Sequence, residues 1–420
     1  MKHEFPTRRL GEVCEIIMGQ SPPGSTYNEC GDGLPFFQGV ADFGARYPTQ
    51  RVWCTLPSRI AEPGDVLLSI RAPIGRVNLA SYRCAVGRGL AILRAKARED
   101  QTFIEFALRS ARTKWDAMEG GGTVFANATR SQLETLEVPW PNAGFRRAIA
   151  RVLGSLDDKI ELNRRMNQTL EEICRALFKF WFVDFGPVRA KAEGRWKKGE
   201  SLPGMPADMW DLWPSEFEES EIGEIPEGWG VDGLGKVASC RRDLIDPSEI
   251  DPEEKYVGLE HITPRSLSLW HWGRVGDTVS GKARFKRGEI LFGKLRPYFH
   301  KVCVPWFDGV ASTDILTIAP KSSDWFGFAL GHFSSAALVD YATAASNGTK
   351  MPRTSWEDLA RWQVALPPVE LARTLTTVFL PLVSKMGKAI EESTLLGETR
   401  DTLLPKLLSG EIRVSQVEAP

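Results

Sequence analysis

The chain repeats itself, and this duplication constrains its fold more than any other feature of the sequence. Over the first part of the repeat the shift is 224 residues, which relates Arg9–Val13 to Gly233–Val237, Gly64–Leu68 to Gly288–Phe292, and Pro73 to Pro297. Farther along the shift is 226 residues, which relates Leu133 to Leu359, Val152 to Val378, Leu156 to Leu382, Leu170 to Leu396 and Leu177 to Leu403. Recurrence of common turn and strand residues would explain one or two of these matches but not their order. We therefore expect two copies of one domain, each followed by a helix.

Each copy is predicted to be an α+β domain. Short β-type runs such as Gly64–Ile70 alternate with glycine and proline turns, and a helical stretch lies near residues 101–115. We place the first domain at residues 1–142 and the second at residues 225–368.

A seven-residue repeat follows each domain and predicts long helices at residues 143–184 and 369–412. In the first helix one seam is formed by Ile149, Leu156, Asn163, Leu170 and Leu177, and the other by Val152, Lys159, Met166, Ile173 and Phe180. In the second helix the seams contain Leu375, Leu382, Ala389, Leu396 and Leu403, then Val378, Lys385 and Lys406. This period favours an antiparallel coiled coil that relates the two halves by a pseudo-two-fold axis. Two amphipathic helices packed into separate cores are the alternative. Pro381 predicts a bend or a helix start.

The segment between the halves, residues 185–224, breaks the repeat. It begins basic and then becomes acidic, and it contains several prolines, so we predict an extended linker. Its tryptophans, Trp196, Trp210 and Trp213, indicate that it lies against a surface.

Composition favours a cytoplasmic protein. The sequence contains neither an apolar run of membrane-spanning length nor an apolar signal core at its N-terminus. Its seven cysteines are odd in number and include no C-x-x-C pair, which argues against a disulfide framework and a zinc cluster. A net charge of −1 is unusual for a DNA-binding protein, but a locally basic groove would still attract phosphate.

We find no catalytic motif in the sequence. It lacks the N-P-P-Y or D-P-P-Y motif of amino-methyltransferases and a P-loop, and its histidines show no metal-ligand spacing. A duplicated nuclease would need acidic pairs in both copies, and only Asp65 and Glu289 correspond. Both residues are expected in turns that precede strands, so the sequence favours a binding protein without a cofactor of its own.

Candidate DNA contacts are basic and polar residues in matching segments of the two domains. In an extended chain, Lys294, Arg296, Tyr298 and His300 would share one face, with Leu295 and Phe299 on the core side. An ordinary solvated strand face is the alternative. The full set of candidates comprises Arg71, Arg76, Lys294, Arg296, Tyr298, His300, Lys301, Thr349 and Lys350. Weaker candidates are the pairs Arg46-Tyr47 and Arg241-Arg242.

Four segments resemble the specificity subunits (S subunits) of type I restriction–modification systems. They are Glu221–Trp229, Gly288–Pro297, the stretch from Gly348-Thr349 through Leu359 to Pro367-Pro368, and Leu404–Ile412. Their order over the whole chain is similar to the order in that family. The resemblance implies two target-recognition domains, each reading one half of a split DNA site. It also implies helices that bind two methyltransferase subunits, with restriction/translocase subunits added for cleavage. S-adenosylmethionine and ATP are then expected on those partners.

Two other functions remain open from the sequence alone. One is a nuclease with a duplicated catalytic fold. The other is a tether whose coiled coil binds only proteins. For the helices, the residues expected to form the coiled coil and bind partners are Leu156, Asn163, Met166, Leu170, Leu177, Leu382, Leu396 and Leu403.

Overall fold

The computed structural model describes residues 5–119, 127–202, 204–241, 243–246, 249–277, 281–346 and 351–414. The chain divides into two units, one formed by Met1–Glu161 with Thr394–Pro420 and the other by Leu162–Ser393. Each unit contains strands, short helices and part of both long helices. The fold is mixed α/β, in agreement with the composition expected from the sequence.

Unit 1 begins with the first domain. Its strands are β1 (Thr7–Arg9), β2 (Cys14–Met18), β3 (Tyr27–Asn28), β4 (Leu34–Phe37), β5 (Trp53–Cys54), β6 (Ile60–Ala61), β7 (Val66–Ser69), β8 (Val77–Leu79), β9 (Cys84–Val86), β10 (Leu90–Ala95) and β11 (Glu137–Pro139). Its helices are α1 (Leu10–Val13), α2 (Gln101–Ser110), α3 (Arg112–Glu119), α4 (Arg130–Thr135) and the start of α5 (Ala143–Phe182). Helices α2 and α3 confirm the helical stretch predicted near residues 101–115.

Two sheets form the first domain. An antiparallel sheet has the order β2-β10-β7-β8, and a second sheet has the order β3-β5-β4-β9-β6 with β4 and β9 parallel. Apolar side chains alternate with the pleat, so Leu68 and Leu93 lie in one core with α2 while Leu67 and Ile92 lie in another. Strand β1 pairs with β11, which joins the start of the domain to its end.

Unit 2 contains the second domain. After α5 come α6 (Gly186–Ala192), β12 (Phe217–Ser220), β13 (Gly223–Pro226), β14 (Gly230–Gly233), β15 (Ala238–Arg241), β16 (Leu244–Ile245), β17 (Lys255–Val257), β18 (Gly273–Arg274), β19 (Lys282–Phe285), β20 (Ile290–Gly293), β21 (Val302–Cys303), β22 (Gly309–Ser312) and β23 (Ile315–Pro320). They are followed by α7 (Phe326–Phe333), α8 (Ala336–Ala344), α9 (Trp356–Ala360), β24 (Gln363–Leu366) and α10 (Val369–Ser409).

The sheets of the second domain have a strand order that corresponds to the first. The antiparallel sheet runs β15-β23-β20-β21, and strand β14 pairs with β24 as β1 pairs with β11. The five-stranded sheet runs β16-β19-β22-β17-β18 and has one parallel pair, β17 with β22. Strands that correspond in this order begin at positions separated by the shifts that relate the two sequence copies.

The long helices contact each other through polar as well as apolar groups. In unit 1, Asp157 of α5 accepts a 2.5 Å hydrogen bond from Arg400 of α10. In unit 2, Asn163 donates to the Ser393 hydroxyl at 3.1 Å and Asn167 donates to the Met386 carbonyl at 3.1 Å. Numbers rise along α5 as they fall along α10, so the helices are antiparallel where they meet in unit 2.

The predicted seams are wrong at several positions. Lys159, Ile173, Val378 and Lys385 are exposed, whereas the buried stripe of α5 includes Leu153, Asp157, Asn167, Glu171 and Cys174. Buried carboxylates and amides were invisible to a search for apolar periodicity, which shifted the predicted stripe around the helix. A helix start at Pro381 is also wrong, because α10 begins at Val369 and continues through Pro381.

The segment at residues 185–224 is not an extended linker, which corrects that prediction. It forms α6, a 3₁₀ turn at Ala207–Leu212 and the start of a hairpin. Trp196 and Trp213 are buried in the core that contains Trp181 of α5, as their apolar area favours. Their burial outweighs the charge and proline content that suggested an open chain. The limits proposed for the domains and linker stay a prediction.

Candidate nucleic-acid interface

In the first domain, the loop after β7 displays two cations on a fixed backbone. Ser69 is fully buried, and its hydroxyl donates to the Pro73 carbonyl at 2.7 Å and accepts from the Arg76 amide at 2.8 Å. Gly75 has a φ of +82°, and a Cβ there would lie 2.1 Å from the Trp115 ring, so glycine is required. Arg71 and Arg76 are exposed. The loop therefore holds both guanidinium groups outward without a flexible tip.

A second segment supports this loop. Arg71 forms an isolated antiparallel bridge with Asn127, and the Ala128 amide donates to the Ile70 carbonyl at 2.8 Å. Helix α4 begins two residues later, with Thr129 as its N-cap and Gln132 completing a capping box.

The second domain has the same arrangement. Leu295 forms an isolated antiparallel bridge with Arg353, and the Arg296 amide donates to the Pro352 carbonyl at 2.8 Å. Ser355 caps α9 in a capping box with Asp358. The structure thus brings together the loop at residues 294–301 and the segment at 351–353, which the sequence gave no reason to join. Thr349 and Lys350 lie outside the described residues.

The extended conformation predicted for residues 294–301 is wrong. Strand β20 ends at Gly293, Pro297–Phe299 forms a 3₁₀ turn, and Arg296 and His300 both have a φ near +50°. Proline fits the first position of such a turn, and the left-handed residues reverse the chain on either side. The alternation of faces is therefore lost, and Phe299 is exposed although it was expected in the core.

The turn directs the predicted contacts differently from one another. His300 is buried, and its Nε2 lies 2.9 Å from the Ser334 carbonyl oxygen. Burial lowers the pKa of His300, which favours a neutral imidazole. Lys301 donates to the Leu259 carbonyl at 2.6 Å, and burial lowers its pKa as well. Lys294 and Arg296 are half-buried, and Tyr298 is exposed. These three residues are the accessible members of the predicted face.

The weaker cationic candidates are engaged within the protein. Arg46 lies 2.5 Å from Asp158, and Arg241 lies 2.9 Å from Glu289. Arg353 lies 3.3 Å from Asp314. Each guanidinium already has a carboxylate partner. Arg242 lies outside the described residues.

The acidic pair that a duplicated nuclease would need has a structural role. Asp65 and Glu289 each accept the backbone amide three residues earlier, at 2.8 Å from Glu62 and 2.9 Å from Lys286. Asp65 also pairs with Arg94. These contacts confirm the prediction that both residues lie in turns before strands. Among the described residues, histidine, cysteine and carboxylate side chains form no group that could hold a metal ion.

The predicted helix residues differ in burial. Asn163 and Leu170 are buried, whereas Leu156, Met166, Leu177, Leu382, Leu396 and Leu403 are half-buried. Sequence reasoning missed the buried Asp157, Asn167 and Glu171. Glu171 accepts hydrogen bonds from Ser268, at 3.0 Å from its amide and 2.7 Å from its hydroxyl. Their signal was a polar residue at each place where the buried stripe needs an apolar one.

Comparison with known proteins gives a consistent family. The family model for the type I restriction modification DNA specificity domain matches residues 2–172. A Methanocaldococcus jannaschii protein named as the specificity subunit of type I restriction enzyme MjaX is 37% identical over 178 residues, covering 42% of this chain and 41% of that protein. The MjaIX specificity subunit of the same organism is 23% identical over 437 residues, covering 99% of this chain and 95% of that protein. The chain therefore spans less than half of the first relative and nearly all of the second.

A solved structure shows a similar fold over almost the whole chain. The crystal structure of the type I restriction–modification system S subunit from M. genitalium is 16% identical, with a TM-score of 0.54 and a coverage of 96% of each chain. In the described part of the present chain, every helix is too short or too polar to cross a bilayer.

Proposed function

The chain belongs to the family of type I restriction–modification DNA specificity subunits, and from this premise we propose that it is the DNA-reading subunit of such a complex. Each α+β domain is a copy of one target-recognition fold and reads one half of a split site in double-stranded DNA. The observation that carries this proposal is the pair of corresponding loops after β7 and β20. Each presents cations from a backbone fixed by a bridge to the segment before a capped helix.

The two loops carry different side chains, so the two half-sites differ in sequence. Arg71 and Arg76 serve the first domain, and Lys294, Arg296 and Tyr298 serve the second. Lysine and arginine contact phosphates, and arginine can also bind the edge of a guanine in the major groove. Thr349 and Lys350 remain predicted contacts of the second domain, next to the segment that supports its loop.

We also propose that the chain performs no chemistry and binds no cofactor. S-adenosylmethionine and ATP would act on the methyltransferase and restriction/translocase subunits. The structural roles of Asp65 and Glu289 support this proposal, because they remove the acidic pair that a nuclease would need.

For the helices, we propose an antiparallel coiled coil that relates the domains by a pseudo-two-fold axis and binds two methyltransferase subunits. The antiparallel contacts of Asn163 and Asn167 in unit 2 support the pairing. Large apolar side chains remain exposed on both helices, including Leu162, Ile173, Leu380 and Leu395, and such residues are suited to a protein partner.

The test is to co-express the chain with the methyltransferase subunit of its own system and to sequence the modified DNA. We expect a stable complex that methylates one asymmetric, split sequence. The purified chain alone should neither methylate DNA, cut DNA nor hydrolyse ATP. Methylation without sequence preference, or activity of the isolated chain, would contradict the proposal.

A further inference from the structure

Two adjacent aromatic rings project from the loop of the second domain. Tyr298 is 48% exposed and Phe299 is 45% exposed, and their ring centroids are 4.7 Å apart. Aromatic side chains of this size usually lie mostly buried, so two neighbours this exposed indicate a contact with another molecule.

The backbone prevents these rings from folding into the core. The Phe299 amide donates to the Arg296 carbonyl at 3.0 Å, and the His300 amide donates to the Pro297 carbonyl at 2.8 Å. Pro297 and His300 are buried on either side of the rings, and the His300 ring is held by Ser334. Left-handed conformations at Arg296 and His300 are costly for residues with side chains, so their presence at both ends of the turn marks a constrained display.

The first domain lacks this feature at the corresponding positions. The shift of 224 relates Tyr298 to Ile74 and Phe299 to Gly75. Ile74 is buried, and Gly75 lies against the Trp115 ring with no room for a side chain. One loop is therefore closed against its own core, while the other presents two aromatic rings.

The charge around the rings favours nucleic acid over protein as the partner. Lys294 and Arg296 belong to the same loop, and the Arg296 Nε is buried without a hydrogen-bond partner among the described residues. An anionic ligand with acceptor oxygens would supply that partner, and a phosphate has this chemistry. Cations that bind the backbone beside rings that stack on bases are the combination found where proteins hold exposed bases.

We propose that Tyr298 and Phe299 stack on bases of the second half-site and open a base step there. This proposal rests on the DNA-reading function proposed above. The rings lower the free energy of a locally unstacked duplex, so the sequence at that step is selected through its ease of deformation rather than through base-edge hydrogen bonds. Because the first domain has no such rings, the distortion is confined to one half of the site.

The experiment uses the complex of the full chain with its methyltransferase subunit and DNA that carries 2-aminopurine at successive positions, omitting the methylated adenines. This base fluoresces more strongly when it is unstacked. With the wild-type complex we expect one or two bright positions in the second half-site. The Tyr298→Ala plus Phe299→Ala variant should lose that signal and bind the site roughly 5- to 100-fold more weakly. Fluorescence in the first half-site should not change.

Two further variants separate stacking from other roles. Tyr298→Phe plus Phe299→Tyr keeps both rings and should behave as the wild type, whereas loss of the signal would mean that the Tyr298 hydroxyl reads a base and would overturn the proposal. Leu212→Ala removes an exposed apolar side chain elsewhere in the same unit and should have no effect.

The remaining outcomes distinguish this proposal from the one on which it rests. Unchanged affinity and fluorescence in the double alanine variant would overturn the stacking role and leave DNA reading intact. Loss of the methyltransferase subunit from that variant would show that the rings bind protein, which also overturns it. A wild-type complex with no preference for any DNA sequence would refute the proposed function itself.

Discussion

Arg109 and Asp157 join the first domain to the long helix of unit 1, with 2.7 Å between Nη1 of the guanidinium and Oδ2 of the carboxylate. Arg109 belongs to α2 and Asp157 to α5. The other carboxylate oxygen of Asp157 accepts from Arg400 of α10 at 2.5 Å. One buried carboxylate thus holds two guanidinium groups from two elements, and it fixes how the domain and both helices of this unit meet.

Replacing Asp157 with asparagine should destabilise this junction. The change leaves two largely buried cations without their counter-charge, which costs about 2–4 kcal/mol because both arginines keep some contact with solvent. Hydrogen exchange of the α2 amides, followed by mass spectrometry, measures the free energy of local opening. The matched control is Asp158→Asn, whose carboxylate is 72% exposed and should cost under about 1 kcal/mol. Equal effects of the two changes would contradict this account.

The stability of unit 2 should fall in mild acid because of His332. Burial between Phe178 and Phe328 lowers the pKa of His332 to about 3. The unfolded chain takes up a proton near its ordinary pKa of about 6.5 while the folded chain does not, so this stability is present above that pH and is lost as the pH falls. Between pH 7.5 and 5.0 the loss from this group is about 2 kcal/mol.

His332→Phe tests this assignment, since a phenyl ring cannot be protonated. Denaturant titrations followed by the fluorescence of Trp181, Trp213 and Trp229, which share a core with Phe178 and Phe328, report the stability of unit 2. The variant should lose less stability on acidification than the wild type. Parallel stability curves over this pH range would assign the acid sensitivity to other groups.

Lys294→Ala plus Arg296→Ala should weaken DNA binding by the assembled complex in one of two distinguishable ways. If both side chains contact phosphates, the slope of log affinity against log salt should shrink by about two. If Arg296 reads a guanine, specificity at one position of the second half-site should relax by about 1–3 kcal/mol. Arg71→Ala plus Arg76→Ala should act on the first half-site. Lys197→Ala plus Lys198→Ala removes the same charge outside the loops and is the control, and an equal effect there would reduce the result to overall charge.

The duplication made the topology predictable from sequence, because equal spacing of strand starts implies equal strand order. The loop geometry was not predictable. Nothing in Lys294–Lys301 signals that Arg296 and His300 adopt left-handed conformations, which are uncommon for residues other than glycine. The helix seam failed for a different reason. Asp157 is buried because Arg109 and Arg400 neutralise it, and these partners lie 48 and 243 residues away, beyond the reach of a local pattern.

The length of the long helices should set the distance between the two half-sites. Helix α5 has 40 residues and is therefore about 60 Å long, which corresponds to at most about 18 base pairs. Inserting four residues after Met166, with a matching insertion after Gly387, lengthens both helices by about 6 Å, or at most about two base pairs. Both insertions lie between the Asn163–Ser393 and Asn167–Met386 contacts, so each contact is preserved. The extra rotation of about 40° can be absorbed as a stutter in the coiled coil.

Sequencing of the methylated DNA gives the outcome of this change. The engineered chain should recognise the same two half-site sequences separated by a longer gap. The insertion in α5 alone is the control, and it should impair assembly because the paired helices then lie out of register. If the half-site sequences change while the gap stays fixed, the helices do not set the spacing. The DNA-reading domains would then have been assigned to the wrong segments of the chain.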